Sequence, residues 1–302
     1  IGGTKGSHLI AERFTGAPDD ALYAEAASDG RPFFIIPWNG LYLIGTTDER
    51  FDGNPGAASI SRDEFDYLVA ETKRLFPAAD DLEASVRYTY AGVRPLPNKD
   101  GVKTGAITRR HLVKRHRDVR GLYSIVGGKL TTHRALAVDC LRRLRRVFPD
   151  LGPSPTAERP LPGAVPASER QALFDDLTRV VGTDEAQRLW QTYGGRSREL
   201  VASFDASGDL ATKLAPDVAG FVGELVFALE REWAISLVDL LQRRTMLGLA
   251  ADFGSRAAPH AAESLVRLGY WDETRAASEL AAYREFALRF AVPSKRGAAI
   301  SS

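Results

Sequence analysis

The chain has 302 residues, with 40 basic and 39 acidic side chains, one Cys and one Met. At about 100–200 residues per domain it has room for two or three cores; a charged fraction of 26% is ordinary for a globular protein, and a net charge of +1 leaves no basic footprint for nucleic acid. One Cys closes no internal disulfide, which suits a reducing, cytoplasmic setting, and no apolar run reaches the ~20 residues of a membrane-spanning helix.

In chain order, Pro32 to Trp38 and Leu41 to Thr47 read as two strands joined at Asn39-Gly40, the strongest short hairpin signal because a type I′ turn needs φ > 0 at both central positions. Ser61-Arg62-Asp63-Glu64 is a capping box opening a helix with Phe65, Leu68, Val69, Thr72 and Leu75 on one face, closed by Pro77. Arg87 to Val93 alternates and predicts a strand; His111 to His116 and Leu122 to Val126 predict a second hairpin. After Gly127-Gly128, a helix is expected from about Leu130 to Phe148, with Leu136, Cys140, Leu141, Leu144 and Val147 facing inward. Cys140 then reads as a small core residue, and Arg142, Arg143, Arg145 and Arg146 as a solvated face. Prolines at 153, 155, 160, 162 and 166 mark a linker over 151–166. From Ser168 the period is helical: a capping box at Ser168, a helix over Thr183–Tyr193 ended by Gly194-Gly195, a long helix or broken pair from about Asp217 to Leu249, and a last pair over His260–Leu268 and Asp272–Phe290. The tail after Pro293 is expected to fray. These elements predict an α+β protein: antiparallel or mixed sheet with inserted helices over 1–150, a Pro-rich linker over 151–166, and an all-α domain over 167–302.

Three blocks combine Gly with basic residues: Lys5-Gly6-Ser7-His8, Ala91-Gly92-Val93-Arg94-Pro95-Leu96 and Gly127-Gly128-Lys129-Leu130-Thr131-Thr132. Glycine beside a strand end admits a ligand close to the backbone, an Arg there can fork an anion, and a helix start supplies unpaired N–H groups. Taken locally, each block also reads blandly, as a turn, a surface Arg or an isolated His. No Cys/His cluster has metal spacing, and no Gly-x-Ser-x-Gly, Walker loop or Gly-x-Gly-x-x-Gly occurs.

The order of the blocks resembles the FAD-dependent glycerol-3-phosphate dehydrogenases. The resemblance rests on Thr4-Lys5-Gly6-Ser7-His8, Ile36-Pro37-Trp38 with Ile44-Gly45-Thr46-Thr47-Asp48, Tyr90 to Leu96, Ala106-Ile107-Thr108-Arg109 and Ser124 to Thr132. In the helical half, Thr192-Tyr193-Gly194, Glu230 to Ala234 and Arg243 to Leu249 extend it. It implies a substrate-cap sheet plus the returning strand and helix of an FAD domain within 1–150. The implied activity is oxidation of glycerol 3-phosphate to dihydroxyacetone phosphate, with electrons passed to quinone. It further implies Arg94, Arg109 and Lys129 at the substrate, His8 as the group accepting the hydroxyl proton at an ordinary pKa near ~6.5, with Lys129 also catalytic, and Gly127, Gly128, Leu130 and Thr131 at the flavin. Peripheral contact with the inner face of the cell membrane and a homodimer are compatible with it. The family's N-terminal Rossmann-type region, which grips FAD, is not recognisable here, and the chain opens on Ile1 without a Met. The expectation is therefore a C-terminal portion that alone neither holds FAD tightly nor turns over, with Leu122 to Val138 disordered, rearranged or covered. Two other readings stay open: a stand-alone phosphate- or partner-binding module, and a related flavin amine oxidase.

Overall fold

A computed structural model describes residues 2–97, 101–102 and 106–294, with the backbone alone at 205–206. The chain forms two compact units, one of residues 1–159 with 292–302 and one of residues 160–291. The expectation for the tail lies outside the described residues from 295 onward.

In the first unit, β1 (Gly2–Ala11), β2 (Leu22–Glu25), β3 (Pro32–Trp38), β4 (Leu41–Gly45) and β5 (Glu49–Arg50) precede helix α1 (Arg62–Leu75), the single turn α2 (Leu82–Ser85) and the long strand β6 (Val86–Leu96). The six strands make one antiparallel sheet. β1 is central: β6 runs along its whole length, while β4 pairs with His8–Ala11 and β5 with Thr4–Lys5. The turn between β3 and β4 has Asn39 at φ 50° and Gly40 at φ 74°, as a type I′ hairpin requires. The Ser61 box forms in full: Ser61 Oγ accepts from the Glu64 N–H, and a Glu64 carboxylate oxygen accepts from the Ser61 N–H. Phe65 and Leu68 of α1 pack with Leu9, Ala11, Ile35 and Ile44 as the core beneath the sheet.

Glu71, one turn beyond Leu68, accepts from the Ala27 N–H at 3.1 Å, the Ser28 hydroxyl at 2.9 Å and Arg74 Nε at 2.8 Å. Burial alone raises the pKa of its carboxyl, but these donors outweigh burial and hold the pKa at about 2. The carboxylate therefore contributes stability that is fully present above its ordinary value of 4.5 and is lost as pH falls toward 2. Thermal melts between pH 6 and pH 2.5 should show an acid limb for the wild type that Glu71→Gln flattens; superimposable limbs would remove Glu71 from acid unfolding.

β7 (Leu112–Arg115) and β8 (Tyr123–Val126) form the second hairpin, followed by Gly127 and Gly128 at φ 72° and 101°, a 3₁₀ turn over Leu130–Thr132 and α3 (His133–Leu144). Here the sequence reading needs correction. The helix is shorter than 130–148, and none of its residues is fully buried: Cys140 is half-buried, Leu141 and Val147 are exposed, and Phe148 is 56% exposed. Its described neighbour is the β7–β8 ribbon, where His111 Nε2 lies 3.4 Å from Asp139 Oδ2, and two strands are too narrow to bury a helix face. Leu122 to Val138 takes in β8, the Gly127-Gly128 turn, the 3₁₀ turn and the first half of α3, with Val126 buried and Ile125 48% and Leu130 89% exposed. Arg142, Arg143, Arg145 and Arg146 are exposed.

No helix or strand occurs over 151–166. The second unit contains α4 (Arg170–Val181), α5 (Thr183–Tyr193), α6 (Ser197–Ala206), α7 (Val222–Arg231), α8 (Ala257–Arg267) and α9 (Glu273–Leu288). It is not wholly helical, because β9 (Lys213–Ala215) and β10 (Val218–Phe221) pair across Pro216-Asp217, β10 at the start of the stretch read as helix from about Asp217, and a π-turn occupies Asp239–Arg244. The box at Ser168 does not form either; a 3₁₀ turn over Ala167–Glu169 leads into α4 without a side-chain cap. Arg188 forks the fully buried carboxylate of Glu224 at 2.8 and 2.5 Å, and Tyr193 donates to it at 3.0 Å, so the buried charge is paired and hydrogen-bonded.

Candidate active site

Side chains alternate across a strand, and β1 uses its two faces differently. Lys5, Ser7, Leu9 and Ala11 face α1. Gly6 and His8 lie on the opposite face, in register with Gly92 and Tyr90 of β6. On that face one row crosses the sheet: Tyr23, Phe34, Gly45, His8 and Tyr90 are successive cross-strand partners. The His8 and Tyr90 rings stack at 4.6 Å and 8°, and Tyr23 meets Phe34 edge-on at 5.3 Å.

Glycine makes the room. A Cβ at Gly45 would fall 2.4 Å from His8 Cδ2, and a Cβ at Gly6 would fall 2.3 to 2.7 Å from three guanidinium atoms of Arg94. The imidazole lies on the first glycine and the guanidinium plate on the second. Arg94 Nη1 donates to Asp48 Oδ1 at 3.0 Å and Nη2 to Thr46 Oγ1 at 3.3 Å. Burial lowers the pKa of Arg94; Asp48 opposes this, and the like charges of Arg109 and Arg31 push it further down. Arg94 and Arg109 therefore stand within each other's field, a repulsion that a bound anion relieves.

Backbone bonds join the third block to these two. The Gly127 N–H donates to the Pro95 carbonyl at 2.8 Å and the Gly128 N–H to the Arg109 carbonyl at 3.0 Å. Positive φ at both positions needs glycine, and at Gly127 a Cβ would also stand 3.1 Å from the Arg110 carbonyl oxygen. The Lys129 N–H is taken by the Thr132 hydroxyl at 3.3 Å. The donors left by the turn are thus the N–H groups of Leu130 and Thr131, at the first positions of a helical turn. Lys129 is exposed, and its side chain forms no ion pair among the described residues.

His8 departs from the sequence expectation. Burial first, and the Arg94 cation second, lower its pKa from 6.5 to about 4. The imidazole is neutral at neutral pH, and its Nδ1 is buried without a hydrogen-bond partner among the described residues. Burial likewise pushes the Tyr90 hydroxyl up to about 12. Sequence reasoning missed Asp48, Thr46 and Tyr90 as parts of this face. Their signal was cross-strand register, which depends on β1 being recognised as a strand.

The FAD dependent oxidoreductase family model matches residues 1–138, and the model for the C-terminal domain of alpha-glycerophosphate oxidase matches residues 154–276. A glycerol-3-phosphate dehydrogenase of Synechocystis sp. is 40% identical over 302 residues, covering 97% of this chain and 54% of the relative. The aerobic glycerol-3-phosphate dehydrogenase of Escherichia coli is 33% identical over 264 residues, covering 83% of this chain and 51% of the relative. Both of these relatives are glycerol-3-phosphate dehydrogenases. A solved structure of the glycerol-3-phosphate dehydrogenase from Bacillus halodurans, complexed with FAD, superposes with a TM-score of 0.79 at 22% identity, over 98% of this chain and 58% of that one, which establishes likeness of fold. The chain spans about half the length of the curated relatives it matches. The expectation of a missing FAD-binding region is corrected to this extent: the FAD dependent oxidoreductase match takes in residues 1–138, and what the 302 residues lack is the Gly-x-Gly-x-x-Gly loop. Among the described residues, no helix is long and apolar enough to cross a membrane, and no His/Cys/Asp/Glu group could hold a metal ion.

Proposed function

We propose that this chain forms the substrate-facing part of an FAD-dependent dehydrogenase that oxidises glycerol 3-phosphate to dihydroxyacetone phosphate. The observation that carries this reading is the placement of the Arg94 guanidinium over Gly6, held by Asp48 and Thr46, on the same sheet face as the His8 imidazole over Gly45. The phosphate is forked by Arg94 and met by Arg109, with Lys129 as a further point charge. His8 takes the hydroxyl proton of the substrate on its neutral imidazole, which the pKa near 4 leaves vacant at pH 7. When bound, the flavin supplies the acceptor for the hydride from the substrate carbon. The residues fit such a ring: His8 offers a buried nitrogen without a hydrogen-bond partner among the described residues, and the Leu130 and Thr131 N–H groups follow the positive-φ Gly127-Gly128 turn. Gly127, Gly128, Leu130 and Thr131 would hold it, and amide donors there stabilise negative charge arriving on it. The resemblance supports quinone as the next electron acceptor and peripheral membrane contact at the inner face of the cell membrane; a homodimer is compatible with the reading.

The 302 residues alone are proposed to hold FAD weakly, because the phosphate-binding loop is absent from them. The intact gene product should show flavin absorbance that bleaches when glycerol 3-phosphate is added anaerobically, while these 302 residues alone purify with well under one flavin per chain. Bleaching by a different polyol phosphate, or by glycine or sarcosine, but not by glycerol 3-phosphate would overturn the substrate. Stoichiometric flavin on the 302 residues would overturn the weak-binding claim.

A further inference from the structure

Arg94 does not hold its own position. Its two Nη atoms are bonded to Asp48 and Thr46, both in the segment between β4 and β5. The residue between them, Thr47, points to the other side of the sheet. Its hydroxyl donates to Glu64 Oε1 at 2.7 Å and accepts from the Ser7 N–H at 2.9 Å, while its own N–H donates to the Ser7 carbonyl at 3.3 Å. Glu64 is the anchor of that side. Its side chain is 0% exposed. Oε1 also accepts from the Ser7 hydroxyl at 2.9 Å, and Oε2 from the Ser61 N–H at 2.9 Å and from Lys5 Nζ at 2.8 Å. Lys5 in turn reaches the Ser59 carbonyl at 3.1 Å. Four donors saturate one carboxylate, so Thr47 has no slack, and neither do the residues on either side of it.

We infer that Glu64 is a positioning residue for the Arg94 anion clamp: from behind the sheet it fixes Thr47, and through Thr47 it fixes the Thr46 and Asp48 acceptors that orient the guanidinium. The inference rests on the proposed phosphate-binding role of Arg94. It goes further by assigning the buried face of α1 a part in substrate affinity, which helix capping alone does not require.

The test uses the intact gene product. Glu64→Gln removes the charge and strands Lys5, so it is paired with Thr47→Val, which keeps volume and burial and removes the hydroxyl's bonds to Glu64 and to the Ser7 N–H. Thr47→Ser serves as the rescue. Thr47→Val should raise KM for glycerol 3-phosphate about tenfold, with kcat and flavin content unchanged, and Thr47→Ser should restore it to within about twofold of wild type. In an Arg94→Lys background the same Thr47→Val change should add less than about twofold, because the clamp it sets is already gone. Full additivity in that background, or an unchanged KM in folded Thr47→Val, overturns the positioning role while leaving the clamp intact. An unchanged KM in Arg94→Lys alone overturns the clamp itself, and the inference with it. Glu64→Gln, where it folds, should follow Thr47→Val in KM; a wild-type KM in that variant counts against the anchor.

Discussion

Replacing Arg94 by lysine should raise KM for glycerol 3-phosphate by about 10- to 100-fold, the equivalent of one lost charge-assisted hydrogen bond worth about 1.5–3 kcal/mol, with flavin per chain unchanged. The guanidinium carries five N–H donors on a flat frame. Asp48 and Thr46 engage one on each Nη and leave the rest for an anion. An ammonium has three donors and no plane. Placed here it would satisfy Asp48 first, and it would not fill the flat space over Gly6, where a Cβ would come within 2.3 Å of the present plate. The like charge of Arg109 adds to the effect, because a phosphate at this site relieves repulsion between the two cations and a displaced charge loses that gain. Steady-state kinetics against glycerol 3-phosphate, with bound flavin read from absorbance, decides it. An unchanged KM removes Arg94 from the substrate.

What the sequence made legible was local. Asn39-Gly40 and Ser61 to Glu64 carry their structure in two to four residues, because a positive-φ pair and a reciprocal cap are satisfied by near neighbours. The pair Lys213–Ala215 and Val218–Phe221 had its own local signal in Pro216-Asp217, outvoted by the helical period around it. β1 was illegible for the opposite reason. Gly2 to His8 is glycine-rich and polar, with no apolar alternation, and it is a strand because β6 bonds its whole length and Glu64 satisfies its inward Lys5 and Ser7. The apolar period of α3 was read correctly as a pattern and wrongly as burial, since a face is buried only by something placed against it. The same division runs through the candidate site. Arg94, Arg109 and Gly127-Gly128 stand out as cations and glycines at strand ends. Asp48 has no local signal and Glu64 reads as a cap; the tertiary structure brings the first onto Arg94 and the second onto Thr47. The basicity of His8 was the least legible quantity of all, because burial and a cation from another strand set it.

That basicity carries the second large effect. His8→Asn should slow reduction of the flavin by glycerol 3-phosphate by about 10²–10⁴-fold, the usual worth of a positioned general base. Asparagine keeps hydrogen-bonding atoms over Gly45 but cannot take a proton, so flavin content and substrate affinity should change far less than the rate. The pH profile separates proton acceptance from mere contact. A pKa lowered from 6.5 to about 4 means that the imidazole is neutral, and able to accept, everywhere above about pH 4. In the wild type the rate of flavin reduction at saturating glycerol 3-phosphate should therefore stay level from neutral pH down to about 5 and fall only as protonation sets in near 4, and His8→Asn should abolish that limb. Arg94 is one of the two causes of the low value, so Arg94→Met should move the limb upward, toward 6.5, while burial keeps it short of that value. The two variants together are decisive: a rate loss under tenfold in His8→Asn reduces the imidazole to a substrate contact, and a limb that does not move in Arg94→Met breaks the coupling between base and clamp on which the proposed chemistry depends.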